Sequence, residues 1–187
     1  ASLEYLLHFD IDKRNFTIVD VDEDGHKLQQ YNRLLFCDSK KRIWAGGEMG
    51  ISVFNQVGTS LLPNTDFQIA SVLKQAFVNC FYETSSGYLW IGTRNGLFAL
   101  KESDKQFLQY TTENGLPSNV IYGILEDAYG RLWISTNQGL SCLNPESGKF
   151  RNFTIMDGLQ GNQFNAGAYC RKDNGYMLYG GVNGISS

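Results

Sequence analysis

The stretch Gly87-Tyr-Leu-Trp-Ile-Gly-Thr-Arg-Asn-Gly96 decides the fold, because it recurs. It comes back as Gly130-Arg-Leu-Trp-Ile-Ser-Thr-Asn-Gln-Gly139. A looser copy lies upstream, Lys41-Arg-Ile-Trp-Ala-Gly-Gly-Glu-Met-Gly50, and another at the end, Gly175-Tyr-Met-Leu-Tyr-Gly-Gly-Val-Asn-Gly184. The anchors Trp44, Trp90, Trp133 and Leu178 stand 46, 43 and 45 residues apart, and a glycine follows each after six residues. Self-similarity at this period marks a repeat architecture built from one supersecondary unit.

The residues around each anchor alternate apolar and polar with period two, and glycines or short polar runs separate the segments. The second unit reads as strands 77–83, 88–93, 97–101 and 106–111, and the third as 120–126, 131–136, 140–144 and 149–154. The first unit reads as 33–38, 42–46, 51–54 and 57–62. The last supplies 164–171, 176–180 and the start of a third strand. Upstream, 3–9 and 15–21 read as two strands around the turn 10–14. Phe9 aligns with Phe54, Leu100 and Leu143, so these two are strands three and four of a unit. The segment 63–76 fits the repeat least, with room for a helical turn within 67–76.

Four antiparallel strands per repeat, with an aromatic anchor on the second, predict an all-β fold, a β-propeller of four-stranded antiparallel blades. The chain holds about four repeats and is cut mid-blade at both ends. The expected division is a blade remnant 1–31, blades 32–62, 77–111 and 120–154, a connection 63–76 and a partial blade 163–187. The remaining blades, or a second copy of the chain, would cover the free edges. Each anchor should fill the gap between neighbouring sheets. Gly46 and Gly92 should let the strand approach a neighbouring backbone, and Gly50, Gly96, Gly139 and Gly184 should sit at the reversals with positive φ.

Composition narrows the function. A net charge of −3 gives no basic field for duplex nucleic acid. No apolar run reaches the 18 residues of a membrane span. Cys37, Cys80, Cys142 and Cys170 form no Cys-x-x-Cys pair, and His8 and His26 are not spaced to complete a zinc site. Burial as small apolar residues is the favoured reading for the four thiols, and a disulfide between neighbouring strands is the alternative. The acidic cluster Asp20, Asp22, Glu23 and Asp24 lacks the glycine and terminal glutamate of an EF-hand, which favours a solvated turn. No metal or cofactor is expected.

Further residues narrow the family. Asn-Gly-Leu-Pro-Ser-Asn119, Ile124-Leu-Glu-Asp127, Gly130-Arg-Leu-Trp-Ile-Ser-Thr136 and Gly139-Leu together resemble the two-component regulator propeller repeat, and the run 82–97 repeats the pattern. The closing Gly180-Gly-Val-Asn-Gly-Ile185 resembles the last repeat before that family's immunoglobulin-like linker domain. The resemblance implies the periplasmic sensor region of a hybrid histidine kinase, tuned to oligosaccharides. It supplies no kinase or phosphoacceptor segment, so no catalytic residue is carried over.

In a propeller the turns between strands two and three and the loops between blades emerge on one edge, the usual ligand surface. The candidate ligand residues there are Glu48, Arg94, Asn95, Asn137, Gln138, Gln160, Gln163 and Asn183. Amides and an arginine suit sugar hydroxyls, given a nearby tyrosine or tryptophan as a stacking face. Asn114, Asn119, Asp157, Asn162 and Asn165 lie on the longer loops. The recurrence of Asn119 and Asn162 at one repeat position points to loop capping. A lyase or glycosidase would need two placed carboxylates or a histidine; Glu48 and Asp157 are the only candidates, and His8 and His26 lie in the weakest repeat. A protein-docking scaffold would need an exposed apolar face. A sensor ranks first, a scaffold second and an enzyme third.

Overall fold

The structure, a computed structural model, describes residues 6–10, 14–19, 32–57, 60–64, 66, 71–101 and 106–187. The chain divides into two compact units, Ala1–Val78 and Asn79–Ser187. The acidic cluster 20–24 and His26 lie outside the described residues, as do residues 3–5 and 20–21 of the two expected upstream strands.

In the first unit, β1 (Leu6–Asp10) and β2 (Asn15–Val19) form an antiparallel hairpin. Its register pairs Phe9 with Phe16, as Leu100 pairs with Phe107 and Leu143 with Phe150 in the later third-and-fourth-strand hairpins. Next come β3 (Asn32–Cys37), β4 (Arg42–Gly47), β5 (Gly50–Val57) and β6 (Ser60–Pro63), one antiparallel sheet in chain order. Here β5 runs three residues beyond the expected 51–54 and β6 starts late, because the ladder continues to the pair Val57 and Ser60. Within 67–76, Ser71 and Val72 are helical and residues 67–70 lie outside the described residues. Buried Trp44, Phe54 and Leu73 are among the largest side chains of this unit's core.

The second unit repeats the plan. Its strands are β7 (Val78–Glu83), β8 (Tyr88–Thr93), β9 (Gly96–Lys101) and β10 (Gln106–Tyr110), then β11 (Ile121–Glu126), β12 (Leu132–Thr136), β13 (Gly139–Asn144) and β14 (Lys149–Phe153). A three-stranded sheet of β15 (Phe164–Arg171), β16 (Met177–Gly181) and β17 (Gly184–Ser186) follows. Between sheets, β11 lies against β15 on one side and against β8 on the other. Cys80, Trp90, Leu97, Ile121, Ile124, Leu132 and Ile134 belong to one buried cluster across the β7–β10 and β11–β14 sheets. Leu125, Leu140, Phe164 and Tyr179 form another, joining the β11–β14 and β15–β17 sheets. Polar bridges cross the same seams. Asn79 Nδ2 donates to Ile121 O at 2.8 Å, Tyr179 OH to Trp133 O at 2.9 Å and Arg171 Nη1 to Glu126 O at 2.9 Å.

Two anchors are more than fillers. Trp44 Nε1 donates to Asp38 Oδ2 at 2.9 Å, and Trp133 Nε1 to Asp127 Oδ2 at 3.0 Å. The same carboxylates take Arg42 Nε and Arg131 Nε, and their other oxygens take the backbone N–H groups of Lys40 and Arg42, or of Tyr129 and Arg131. Burial pushes these carboxyls up, but the bonds from the indole and the arginine outweigh it and hold both below their ordinary value. Trp133 is only partly buried and stacks on Phe153, with ring centroids 5.4 Å apart.

Two expectations need correction. A Cβ on Gly92 would meet side chains, Ile121 Cγ2 at 2.7 Å and the Cys80 sulfur, so this glycine clears room for the core of the next sheet rather than for a neighbouring backbone. All four cysteines are free thiols, yet only Cys80 and Cys142 are buried. Counted back from the turn, Cys37 stands one residue away and Cys80 four, so they face opposite sides; Cys170, two residues away, shares the side of Cys80 but lies on the β15–β17 sheet, where no following sheet covers it among the described residues. Burial pushes the Cys80 thiol up to about 12, which leaves it an inert core group.

Candidate functional site

The two-residue turns between second and third strands are clamped by threonine. Thr93 Oγ1 donates to Gly96 O at 2.8 Å and accepts from Asn95 N at 2.9 Å. Thr136 Oγ1 donates to Gly139 O at 2.8 Å and accepts from Gln138 N at 3.0 Å. Behind each clamp a glycine with φ of 116° or 115° lies tight against the fourth strand. A Cβ on Gly96 would come within 2.6 Å of Tyr110 O. The backbone is fixed at these turns, and the residues between threonine and glycine are free to vary.

The same turns are bolted to the loops between sheets. Gly96 N donates to Asn119 O at 2.8 Å and Gly139 N to Asn162 O at 2.6 Å. Each loop opens with a short 3-10 turn, Thr112–Asn114 or Ile155–Asp157, closed by a capping box and a left-handed glycine. Asn119 Oδ1 accepts Thr112 N at 2.9 Å and Asn162 Oδ1 accepts Ile155 N at 2.8 Å, the capping expected of that repeated asparagine. Asn114 and Asp157 close the capping boxes onto Thr111 and Thr154, so Asp157 serves the loop and is no free catalytic carboxylate.

The structure places the candidates as follows. Arg94 and Asn95 are exposed on the β8–β9 turn, and Gln109 Nε2 reaches Asn95 O at 3.1 Å. Asn137 and Gln138 occupy the matching β12–β13 turn, where Asn137 Oδ1 is buried with no partner among the described residues. Gln160, Gln163 and Asn183 come together, because Gln160 Oε1 accepts Asn183 N at 2.8 Å and Val182 N donates to Gln163 O at 3.2 Å. Glu48, in the first unit, faces Arg33 Nη1 at 3.5 Å on the exposed β4–β5 turn.

Sequence reasoning missed Met156, the most exposed large apolar side chain among the described residues, at the apex of the Ile155–Asp157 turn. It was readable as the apolar residue where the preceding loop has Glu113. The stacking rings were expected beside the amides, but the most exposed aromatics among the described residues, Tyr129 and Tyr176, flank the turns between first and second strands, at the other ends of the strands. A ring there completes the short turn Asp127–Arg131 and stays outside the blade core, with Arg131 over Tyr129 at 5.1 Å.

This architecture is that of an all-β propeller, made of four-stranded antiparallel blades. Residues 73–95 and 115–138 match the two component regulator propeller family, and the matches cover the first two strands of the β7–β10 and β11–β14 sheets. The chain is similar in structure to the extracellular domain of the hybrid two component system BT3049 from B. thetaiotaomicron, with a TM-score of 0.74 and 24% identity over 90% of this chain and 23% of that one. It is also similar to the extracellular domain of BT4673 from the same organism, with a TM-score of 0.76 and 19% identity over 98% of this chain and 24% of that one. PorZ, a surface component of the type-IX secretion system of Porphyromonas gingivalis, gives a TM-score of 0.69 at 16% identity, over 95% of this chain and 28% of that one. The chain spans about a quarter of the length of these structures. Among curated proteins none matches.

Proposed function

We propose that the chain is part of a ligand-sensing, periplasmic propeller in a two-component signalling protein, and that it contributes to an oligosaccharide site and signals to a histidine kinase. The carrying observation is the match of two blades to the regulator-propeller repeat, joined to an edge where fixed Thr–Gly clamps present unrepeated polar pairs. Arg94, Asn95, Asn137, Gln138, Gln160, Gln163 and Asn183 supply donors and acceptors of the kind that hydroxyls need, and Met156 supplies apolar contact. Glu48 is the first unit's counterpart. An enzyme is disfavoured because Glu48 faces Arg33 and Asp157 is spent on its own loop. An immunoglobulin-like linker further along the protein would pass the pose of the propeller to the kinase.

Calorimetry of the whole sensor region against a panel of plant and host oligosaccharides tests this reading. The expected result is saturable binding by at least one member, weakened about tenfold or more by Arg94→Ala or Gln138→Ala. Binding indifferent to both changes would remove the assigned edge, and no binding across the panel would remove the sugar.

A further inference from the structure

The turn 181–184 lacks the threonine that clamps its counterparts. Gly181 stands two residues before Asn183, where the earlier turns of the second unit have Thr93 before Asn95 and Thr136 before Gln138. Its place in the ladder is the same, since Gly181 pairs with Gly184 as Thr93 does with Gly96 and Thr136 with Gly139. The turn's backbone donor is nonetheless satisfied. Asn183 N donates at 2.8 Å to Oε1 of Gln160, a residue of the preceding loop. Asn95 N and Gln138 N make the corresponding bond to their own threonines.

Two departures from the repeat therefore fit together. A Cβ on Gly181 would run into Gln160 Nε2 and Gln163 O, so the glycine leaves the room that the glutamine amide enters. In the loop one repeat earlier, Pro117 stands at the place of Gln160, with no side-chain amide to lend, and there the turn keeps Thr136. The borrowed clamp differs from a threonine in one respect. Thr93 and Thr136 bond within their own turns, whereas Gln160 belongs to the loop 155–162 that carries Met156. That loop is held on both flanks. Asn162 O accepts Gly139 N at 2.6 Å from the turn of Asn137 and Gln138, and Gln160 N donates to Ser186 Oγ at 3.0 Å on β17. Gln160 Nε2 reaches Gln163 O at 3.5 Å, the carbonyl that also accepts Val182 N at 3.2 Å.

We propose that Gln160 is a positioning residue: it locks the turn of Val182 and Asn183 to the Met156 loop, and so aims Asn183 at the ligand without touching the ligand itself. The lock stands on the geometry of the turn, and its bearing on affinity rests on the sensing role proposed above for this edge.

The test compares Gln160→Met, which keeps the bulk of the side chain and removes the acceptor, with Gln160→Glu, which keeps the acceptor and removes the donor. Hydrogen–deuterium exchange of the whole sensor region is read at the Asn183 amide, with the Asn95 amide as reference. Gln160→Met should speed exchange at Asn183 about tenfold and leave Asn95 and the melting temperature as they were, and Gln160→Glu should hold the wild-type rate. Cellohexaose, xylohexaose, maltohexaose and mannohexaose are the sugar probes. Gln160→Met should lower the affinity for any that binds about tenfold, and Gln160→Glu by less than about threefold. Asn183→Ala should cost about tenfold in the wild type and little on top of Gln160→Met, because the two act through one bond. Exchange at Asn183 indifferent to Gln160→Met would overturn the lock. Equal losses of affinity in the Met and Glu variants would make Gln160 a ligand contact and overturn the positioning role. If no sugar binds, the sensing reading falls and takes the bearing on affinity with it, while the exchange rates still decide the lock.

Discussion

Asp127 Oδ2 accepts the indole N–H of Trp133 at 3.0 Å, and Asp38 does the same for Trp44 at 2.9 Å. The repeat therefore builds more than a flat filler. One carboxylate ties the turn backbone, the arginine that follows it and the anchor into a single unit. Removing it would strand the indole and two backbone donors. Asp127→Ala should lose about 2–3 kcal/mol in urea unfolding at neutral pH.

That contribution should depend on pH with a definite sign. The folded carboxyl titrates below its ordinary value. Its stabilisation is therefore complete above the unfolded value of about 4 and is lost as pH falls through the lower folded value. The stability gap between wild type and Asp127→Asn should narrow as pH drops below about 4. Urea melts across that range check it, and a gap that widens in acid would contradict the role.

Glu126 clasps two blades. Its carboxylate accepts Ser85 N and Ser85 Oγ, each at 3.0 Å, from across the seam. Glu126→Ala should lose about 2 kcal/mol, part of it shared with Ser85→Ala. A double-mutant cycle should return a coupling of about 1 kcal/mol, since the two side chains are in direct contact.

Gly96→Val should cost about 2 kcal/mol or more, from a strained positive φ and the approach of its Cβ to Tyr110 O. Arg94→Ala, two residues away and exposed, should change stability by less than about 1 kcal/mol. Thermal melts followed by circular dichroism rank the two.

The blades were legible in the sequence because their packing repeats. Trp44, Trp90 and Trp133 recur at a blade's spacing, and Gly50, Gly96 and Gly139 each have the positive φ expected at a reversal. The partners of the anchors were less visible. Asp38 and Asp127 stand six residues before their tryptophans, and a turn of polar residues gave no reason to link them until the chain was folded. The cysteines misled because a position on a strand does not say whether the face it occupies is covered by another sheet. The stacking rings were expected beside Arg94, yet Tyr129 and Tyr176 flank turns at the other strand ends.

The central claim is that the constant residues of the repeat build the blade while the variable turn residues meet the ligand. Paired readouts of melting temperature and sugar affinity on Asp127→Asn, Gly96→Ala, Arg94→Ala and Gln138→Ala, made in the whole sensor region, test it most directly. The account predicts that the first two lower the melting temperature and leave the affinity of the folded protein unchanged. It predicts that the last two lower affinity and leave melting in place. The reverse assignment, or all four moving both quantities together, would contradict it.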